Sequence, residues 1–288
     1  MSSSCGEEVL FSVDTLSKII SYLSSIDVLN LALTCKRFGV SNSDDSIIEK
    51  STSMVIQEIA SEEQLAALPH YDDGESKLAD YHYLQLMREP ITFDHLTGRI
   101  EYVNEEDKSC VRHNDYNTWE TAFSNNILRA GKHYASFEAN KYRSINAHLG
   151  VMRPCKANQQ ARGITFFKDF FQNITLTHVE RYSNNIDCCL YSANAGSCYT
   201  SAWDTNVWED SSVLGNETRS SSSWNGIESM SSGDEIGLLL DLDEGILSVY
   251  KNGRKLGVMT RGLAGPYCWV VSLQRGTRVS IKRGAVPP

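Results

Sequence analysis

Two hydrophobic periods divide the chain. Up to about residue 90, apolar positions recur at the spacing of a helix; from Ile91 onward they alternate. Leu16, Ile19, Ile20 and Leu23 fall at i, i+3, i+4 and i+7 and predict one stripe on a helix from Ser12 to about Leu23. Ser12 is its expected N-cap, and Asp14 in the first turn suits the helix dipole. After a break at Ser24 and Ser25, Asp27 is expected to cap a second helix from Val28 to Phe38, with Lys36 and Arg37 in its last turn and Gly39 as its stop. This helix is apolar on two sides: Leu29, Ala32 and Leu33 on one, Val28, Leu31, Cys35 and Phe38 on the other. It therefore needs two things to pack against. A third helix is predicted over Ser46 to Ala60 with Ile48, Val55 and Ile59 inward, and Ser61 with Gln64 makes a capping-box pattern. Pro69 to Gly74 reads as a break, and a further helix from Ser76 to Arg88 ends before Pro90. Helical cores this small are marginal alone, so the surplus apolar surface must dock on the rest of the chain or on a partner.

The remainder reads as strands. Ile145, Ala147, Leu149 and Val151 alternate with Asn146, His148 and Gly150; Ile236, Leu238, Leu240 and Leu242 alternate with Glu235, Gly237 and Asp241. Trp269, Val271 and Leu273 alternate with Cys268, Val270 and Ser272, and Val279 and Ile281 with Arg278 and Lys282. Asn252-Gly253 predicts a two-residue hairpin turn between Ile246–Lys251 and Arg254–Met259. Asp243-Glu244-Gly245 makes a longer turn, and Gly276 breaks the last pair. Short strands joined by hairpin turns, with no helices interleaved, predict an antiparallel sandwich or barrel. The fold class is α+β multidomain: helices first, then an all-β body.

Charge follows the same division. Residues 1–90 hold 15 acidic and 6 basic residues, so they carry the whole net charge of −9; residues 91–288 hold 21 of each. A pI of about 5.3 argues against a nucleic-acid surface. No apolar run reaches the ~20 residues of a membrane span, and the start of the chain lacks the basic and apolar regions of a secretory signal. After Tyr250 stand eight basic residues (Lys251, Arg254, Lys255, Arg261, Arg275, Arg278, Lys282, Arg283) and no acidic one. They form either a solvated strand edge or a site for an acidic peptide. Eight cysteines show no zinc-finger spacing, which leaves buried free thiols in a reducing compartment. Cys188 and Cys189 are expected on opposite faces of a strand. Asn173 and Asn216 head glycosylation patterns that count for little without a signal. No nucleophile elbow, phosphate-cradling loop or His-Glu-x-x-His motif is present. Asp241 and Asp243, though paired, belong to a turn. No cofactor or metal is called for.

Phe11 to Leu23, followed by Ile26 to Phe38 with its Cys-Lys-Arg-aromatic ending, resembles an F-box. Phe11-Ser12 stands where that family has Leu-Pro. The resemblance implies a helical domain over 8–55, with 56–90 as a helical linker, and docking to a Skp adaptor that joins a cullin scaffold. Phe11, Ser12, Leu16, Ile19, Leu23, Leu29 and Leu33 are the matching adaptor-binding positions.

Gly233 to Gly257 resembles the SPRY signature. Gly265 to Val279 is similar to its closing segment, Gly131 to Glu138 with His148 to Val151 to its opening, and Leu190 to Cys198 to its middle block, all in family order. The resemblance implies a SPRY β-sandwich over 91–286 that binds a protein or peptide target through its loops. Arg153, Trp203, Gln274, Arg275 and Gly276 are the expected target-binding residues, with 153–162 and 203–224 as candidate loops. Arg275 stands where peptide-binding members carry an aromatic, which favours an acidic or polar ligand.

Together the two resemblances imply a non-catalytic substrate receptor of a cullin-based (SCF-type) ubiquitin ligase, in the cytoplasm or nucleus, without nucleic-acid or membrane partners. One alternative is a SPRY scaffold whose helices form a self-packed cap. Another is a carbohydrate-binding sandwich.

Overall fold

The computed structural model describes residues 12–34, 46–68, 76–114, 118–124, 126–140, 145–157, 174–176, 188–201, 219–221, 224–274 and 276–285. Phe11, the expected end of the second helix, the 69–74 break, Trp203, Arg275, residues 158–162 of the first candidate loop and most of the second lie outside them. The chain divides into two compact units, residues 1–89 and 90–288.

The first unit holds helices α1 (Val13–Ile20), α2 (Ser25–Thr34), α3 (Ile47–Ile59), α4 (Glu62–Ala67) and α5 (Lys77–Arg88). Its core joins Leu16, Ile20, Val28 and Ala32 to Ile48, Val55, Ile56, Leu78, Tyr81 and Leu84. Helix α1 packs on α3, α3 on α5, and α2 on α5. Residues 56–90, expected as a linker, thus supply part of the core itself.

Capping differs from expectation at two helices. Ser12 occupies the N-cap of α1 with extended backbone but makes no side-chain cap bond. Helix α2 begins earlier than predicted. Ser24 Oγ accepts from Asp27 N at 3.1 Å and donates to the Asp27 carboxylate at 2.6 Å, so Ser24 is the cap and Asp27 its reciprocal partner. The Ser61–Gln64 capping box forms as predicted.

The second unit is a two-sheet antiparallel sandwich. One sheet orders β1 (His95–Leu96), β4 (Trp119–Phe123), β15 (Cys268–Gln274), β6 (Ala147–Met152), β9 (Cys188–Ser192), β10 (Cys198–Ser201) and β11 (Arg219–Ser221). The other orders β14 (Arg254–Arg261), β13 (Ile246–Lys251), β12 (Glu235–Asp241), β5 (Lys132–Asn140), β16 (Arg278–Arg283), β3 (Asp107–His113) and β2 (Ile100–Asn104). A separate hairpin pairs β7 (Cys155–Ala157) with β8 (Ile174–Leu176). Between the sheets lie Phe137, Leu149, Ile236, Leu238, Trp269 and Val271, with Trp269 edge-on to Phe137 at 6.1 Å.

Asn252 and Gly253 both adopt positive φ, the geometry a two-residue hairpin demands. Gly150 permits close strand approach: a Cβ there would lie 2.0 Å from the Cys189 carbonyl oxygen. On β15 the alternation gives the faces correctly but not the exposure. Cys268, Val270 and Ser272 are as buried as Trp269, because this central strand is covered on both sides. Cys189 joins the core between the sheets while Cys188 points to the other face. Cys110, Cys188, Cys189, Cys198 and Cys268 are free thiols.

Candidate functional site

Two surfaces carry the candidate residues, one in each unit. On the helical unit, Ile26, Leu29 and Leu33 repeat at i, i+3 and i+7 on α2 and stay exposed, Leu33 at 72%. On α1, Ile19 is exposed, and Tyr22 just past its end is 90% exposed; both line a shallow groove with Asp14, Thr15 and Lys18. The opposite side of α2, Val28 and Ala32 with Leu31, faces the core. The two-sided helix therefore spends one side on folding and leaves the other bare.

The structure sorts the predicted adaptor positions. Ile19, Leu29 and Leu33 are exposed, and Leu23 is half-buried against the core. Leu16 is corrected: at 2% exposure it is a core residue, because with Ile20 it forms the inward side of α1. Ser12 is half-buried. Tyr22 and Ile26 belong to the exposed rows and were missed. Tyr22 lies past the end of α1, and Ile26 lies outside the predicted second helix.

On the sandwich, pairing register assembles a second surface. Gln274 at the end of β15 pairs with Trp119, and Ser272 pairs with both Thr121 and His148. Trp119 stacks on His148 with ring centroids 4.3 Å apart and planes 11° apart, and Tyr199 approaches His148 at 5.2 Å. The three rings and Gln274 are half-buried. Beneath them, Thr121 Oγ1 donates to Ser272 Oγ at 3.3 Å. Among the described residues, the Trp119 indole N–H, the His148 ring nitrogens and the Tyr199 hydroxyl make no hydrogen bond. Burial holds His148 down to about 4, so it is neutral at pH 7.

The predicted target residues meet this surface only in part. Gln274 stands at its edge, and Gly276 is exposed at the following turn with φ +66. Arg153 is corrected: it is 6% exposed, donates to the Pro266 carbonyl at 3.3 Å and lies over the Tyr267 ring at 4.4 Å. That guanidinium is a packing element. The aromatic cluster escaped sequence reading because its members come from three strands and meet only through register; His148 facing away from the apolar stripe was its one signal.

Three of the eight basic residues after Tyr250 are paired with carboxylates. Arg254 pairs with Glu228 at 2.7 Å, Lys251 with Asp234 at 3.1 Å, and Lys282 bridges Glu138 and Glu235 at 2.8 and 2.6 Å. Arg278 donates to the Cys110 sulfur. The paired carboxylates are likewise occupied in turns. Asp241 accepts from Glu244 N at 3.0 Å, and Asp243 accepts from Gly131 N at 2.9 Å. Among the described residues, no group of three could hold a metal ion and no helix is long and apolar enough to cross a membrane.

Comparison with known proteins matches the same two regions. A family model for the F-box domain matches residues 11–39, and one for the SPRY domain matches residues 173–285. The chain is similar to the SPRY domain of human HERC1, with 15% identity over 65% of this chain and 96% of that one at a TM-score of 0.41. It is also similar to the TRIM65 PSpry domain, with 17% identity over 68% and 92% at a TM-score of 0.41. No curated protein matches the chain.

Proposed function

Proceeding from a chain that carries an F-box domain followed by a SPRY domain, we propose that the protein is the substrate-recognition subunit of a cullin-based ubiquitin ligase. F-box domains generally bind a Skp adaptor, and SPRY domains bind protein targets. The observation that carries the reading is the periodic apolar row Ile26, Leu29 and Leu33, exposed on a helix whose other side already makes the core. The adaptor covers that row together with Ile19 and Tyr22, and in turn joins the cullin. The sandwich holds the target, and ubiquitin transfer follows from raised effective concentration and not from side-chain chemistry of this chain. Free buried thiols suit action in a reducing interior, the cytoplasm or nucleus.

The target seat is the Trp119–His148–Tyr199 cluster with Gln274 and Gly276 at its rim. Half-buried rings with unpaired polar atoms are suited to anchoring a peptide.

The test is reconstitution of the full chain with purified Skp adaptor and cullin. Formation of a ternary complex supports the reading. A folded chain that binds neither removes the ligase assignment.

A further inference from the structure

We infer that helix α5 is a positioning element for the adaptor-docking helices, acting through a polar clamp made by Tyr81, His82 and Gln85. The inference rests on the adaptor-binding reading and names residues outside the docking rows.

Helices α1 and α2 present the exposed rows, yet each leans on a different neighbour, α1 on α3 and α2 on α5. The turn between them, Ser21 to Ser24, is where their relative orientation is set. A helix end leaves backbone carbonyls, and a helix start leaves N–H groups, without intrahelical partners. At this turn α5 supplies them. The Gln85 side chain accepts from Ser25 N at 2.7 Å and donates to the Leu23 carbonyl at 2.9 Å, so one amide clasps both sides of the junction. Tyr81, one turn earlier on the same side of α5, donates its hydroxyl between the Ile20 and Leu23 carbonyls at 3.0 Å each. Ser25 Oγ and His82 Nδ1 share a bond of 2.8 Å.

None of these hydrogen bonds is made to the side chains of Ile19, Tyr22, Ile26, Leu29 or Leu33. The clamp holds the backbone from which those side chains project. With the clamp intact, the two rows meet the adaptor already oriented. Without it, the adaptor must fix the junction at the moment of binding, and the apparent affinity falls by the fraction of molecules whose junction is in place.

The experiment uses the full chain with purified Skp adaptor as probe. Two variants are compared with wild type: Gln85→Met, which keeps the length of the side chain and removes both bonds, and Tyr81→Phe combined with Gln85→Met. Affinity is measured by calorimetry, and backbone protection by hydrogen exchange in the free and bound states. The double variant is expected to bind about tenfold more weakly or worse. Amides of Leu23 to Val28 are expected to lose protection in the free protein and regain it in the complex, while amides of Val55 and Ile56 on α3 stay protected throughout. General destabilisation would expose α3 as well, so that pattern overturns the positioning role. Undiminished affinity alongside a deprotected junction also overturns it. Failure of the wild-type chain to bind the adaptor would sink the ligase reading and the positioning role together, whereas the ordering of the junction by α5 is read from exchange alone.

Discussion

Substituting Leu29→Gln and Leu33→Gln together separates the docking row from the core. Both residues lie on the exposed side of α2, Leu29 at 40% and Leu33 at 72%. Gln is nearly as good a helix former as Leu, and neither position contributes much to the helical core. The expected change in stability is within about 1 kcal/mol, near the ordinary range for surface substitutions. Full burial of an exposed leucine is worth about 1.5–3 kcal/mol, so an interface that covers what these two leave exposed loses roughly 1.7–3.4 kcal/mol in all, which is about tenfold to a few hundredfold in affinity at 1.4 kcal/mol per tenfold. Leu16→Ala is the matched control. Leu16 is 2% exposed and packs in the cluster with Ile20, Val28, Ile48 and Val55, so its truncation is expected to cost about 2–5 kcal/mol. Urea unfolding followed by helix signal reads stability, and calorimetric titration with purified Skp adaptor reads binding. The double Gln variant should unfold like wild type and fail to bind tightly; the Leu16 variant should unfold early. If the double Gln variant bound with wild-type affinity, the row on α2 would not be the docking surface and the assignment of these helices would fall.

Three further outcomes follow. Trp119→Ala with Tyr199→Ala should abolish capture of a target known to bind the wild-type chain while adaptor binding is unchanged; retained capture would move the target seat elsewhere. Gly150→Ala places a Cβ against the Cys189 carbonyl, backbone that cannot step aside, and should lower sandwich stability by about 1–3 kcal/mol in urea; an unchanged midpoint would contradict the strand packing. His133 is buried and held down to about 4, chiefly by desolvation, while its Nε2–H donates to the Ala130 carbonyl. Its folded value lies below its unfolded value of about 6.5, so the unfolded chain binds the proton first. Stability is therefore full above about pH 6.5 and falls as the pH drops toward 4, by about 2 kcal/mol at pH 5 from this group; His148, held at the same folded value, adds an equal share, so the drop from the two should be about halved in His133→Gln, and a drop of undiminished size in that variant would assign it to other groups.

What was legible in the sequence is what is decided locally. The Ser61–Gln64 box needs only three residues of spacing, and the Asn252-Gly253 turn only two, so both could be read directly. Both resemblances likewise rest on contiguous blocks. The Ser24 cap was misplaced onto Asp27 because either side chain can serve and the two bond each other. Arg153 reads as a charged loop residue, and only the approach of Tyr267 and Pro266 more than a hundred positions away makes it a buried one. The clamp of α5 joins residues some sixty positions apart, and the Trp119–His148–Tyr199 cluster depends on strand order. Periodicity reports which face a residue occupies. It does not report what arrives to cover that face.

That limit bears directly on α2. Isolated exposed apolar residues are ordinary on protein surfaces and need no explanation. A helix required only for its own fold needs one apolar stripe, and Val28 and Ala32 with Leu31 provide it here. Ile26, Leu29 and Leu33 form a second stripe at helical spacing, and Ile19 on the preceding helix, with Tyr22 just past its end, adds exposed apolar surface. Placing this surface on two consecutive helices incurs the solvation cost of bare hydrocarbon without any gain to the folded helical unit. The sequence alone could not say which of the two stripes was inward, and the structure alone would leave exposed leucines without a reason. Taken together, the doubled stripe and its one-sided burial argue for a surface that is completed by another polypeptide, which is the physical content of the adaptor assignment.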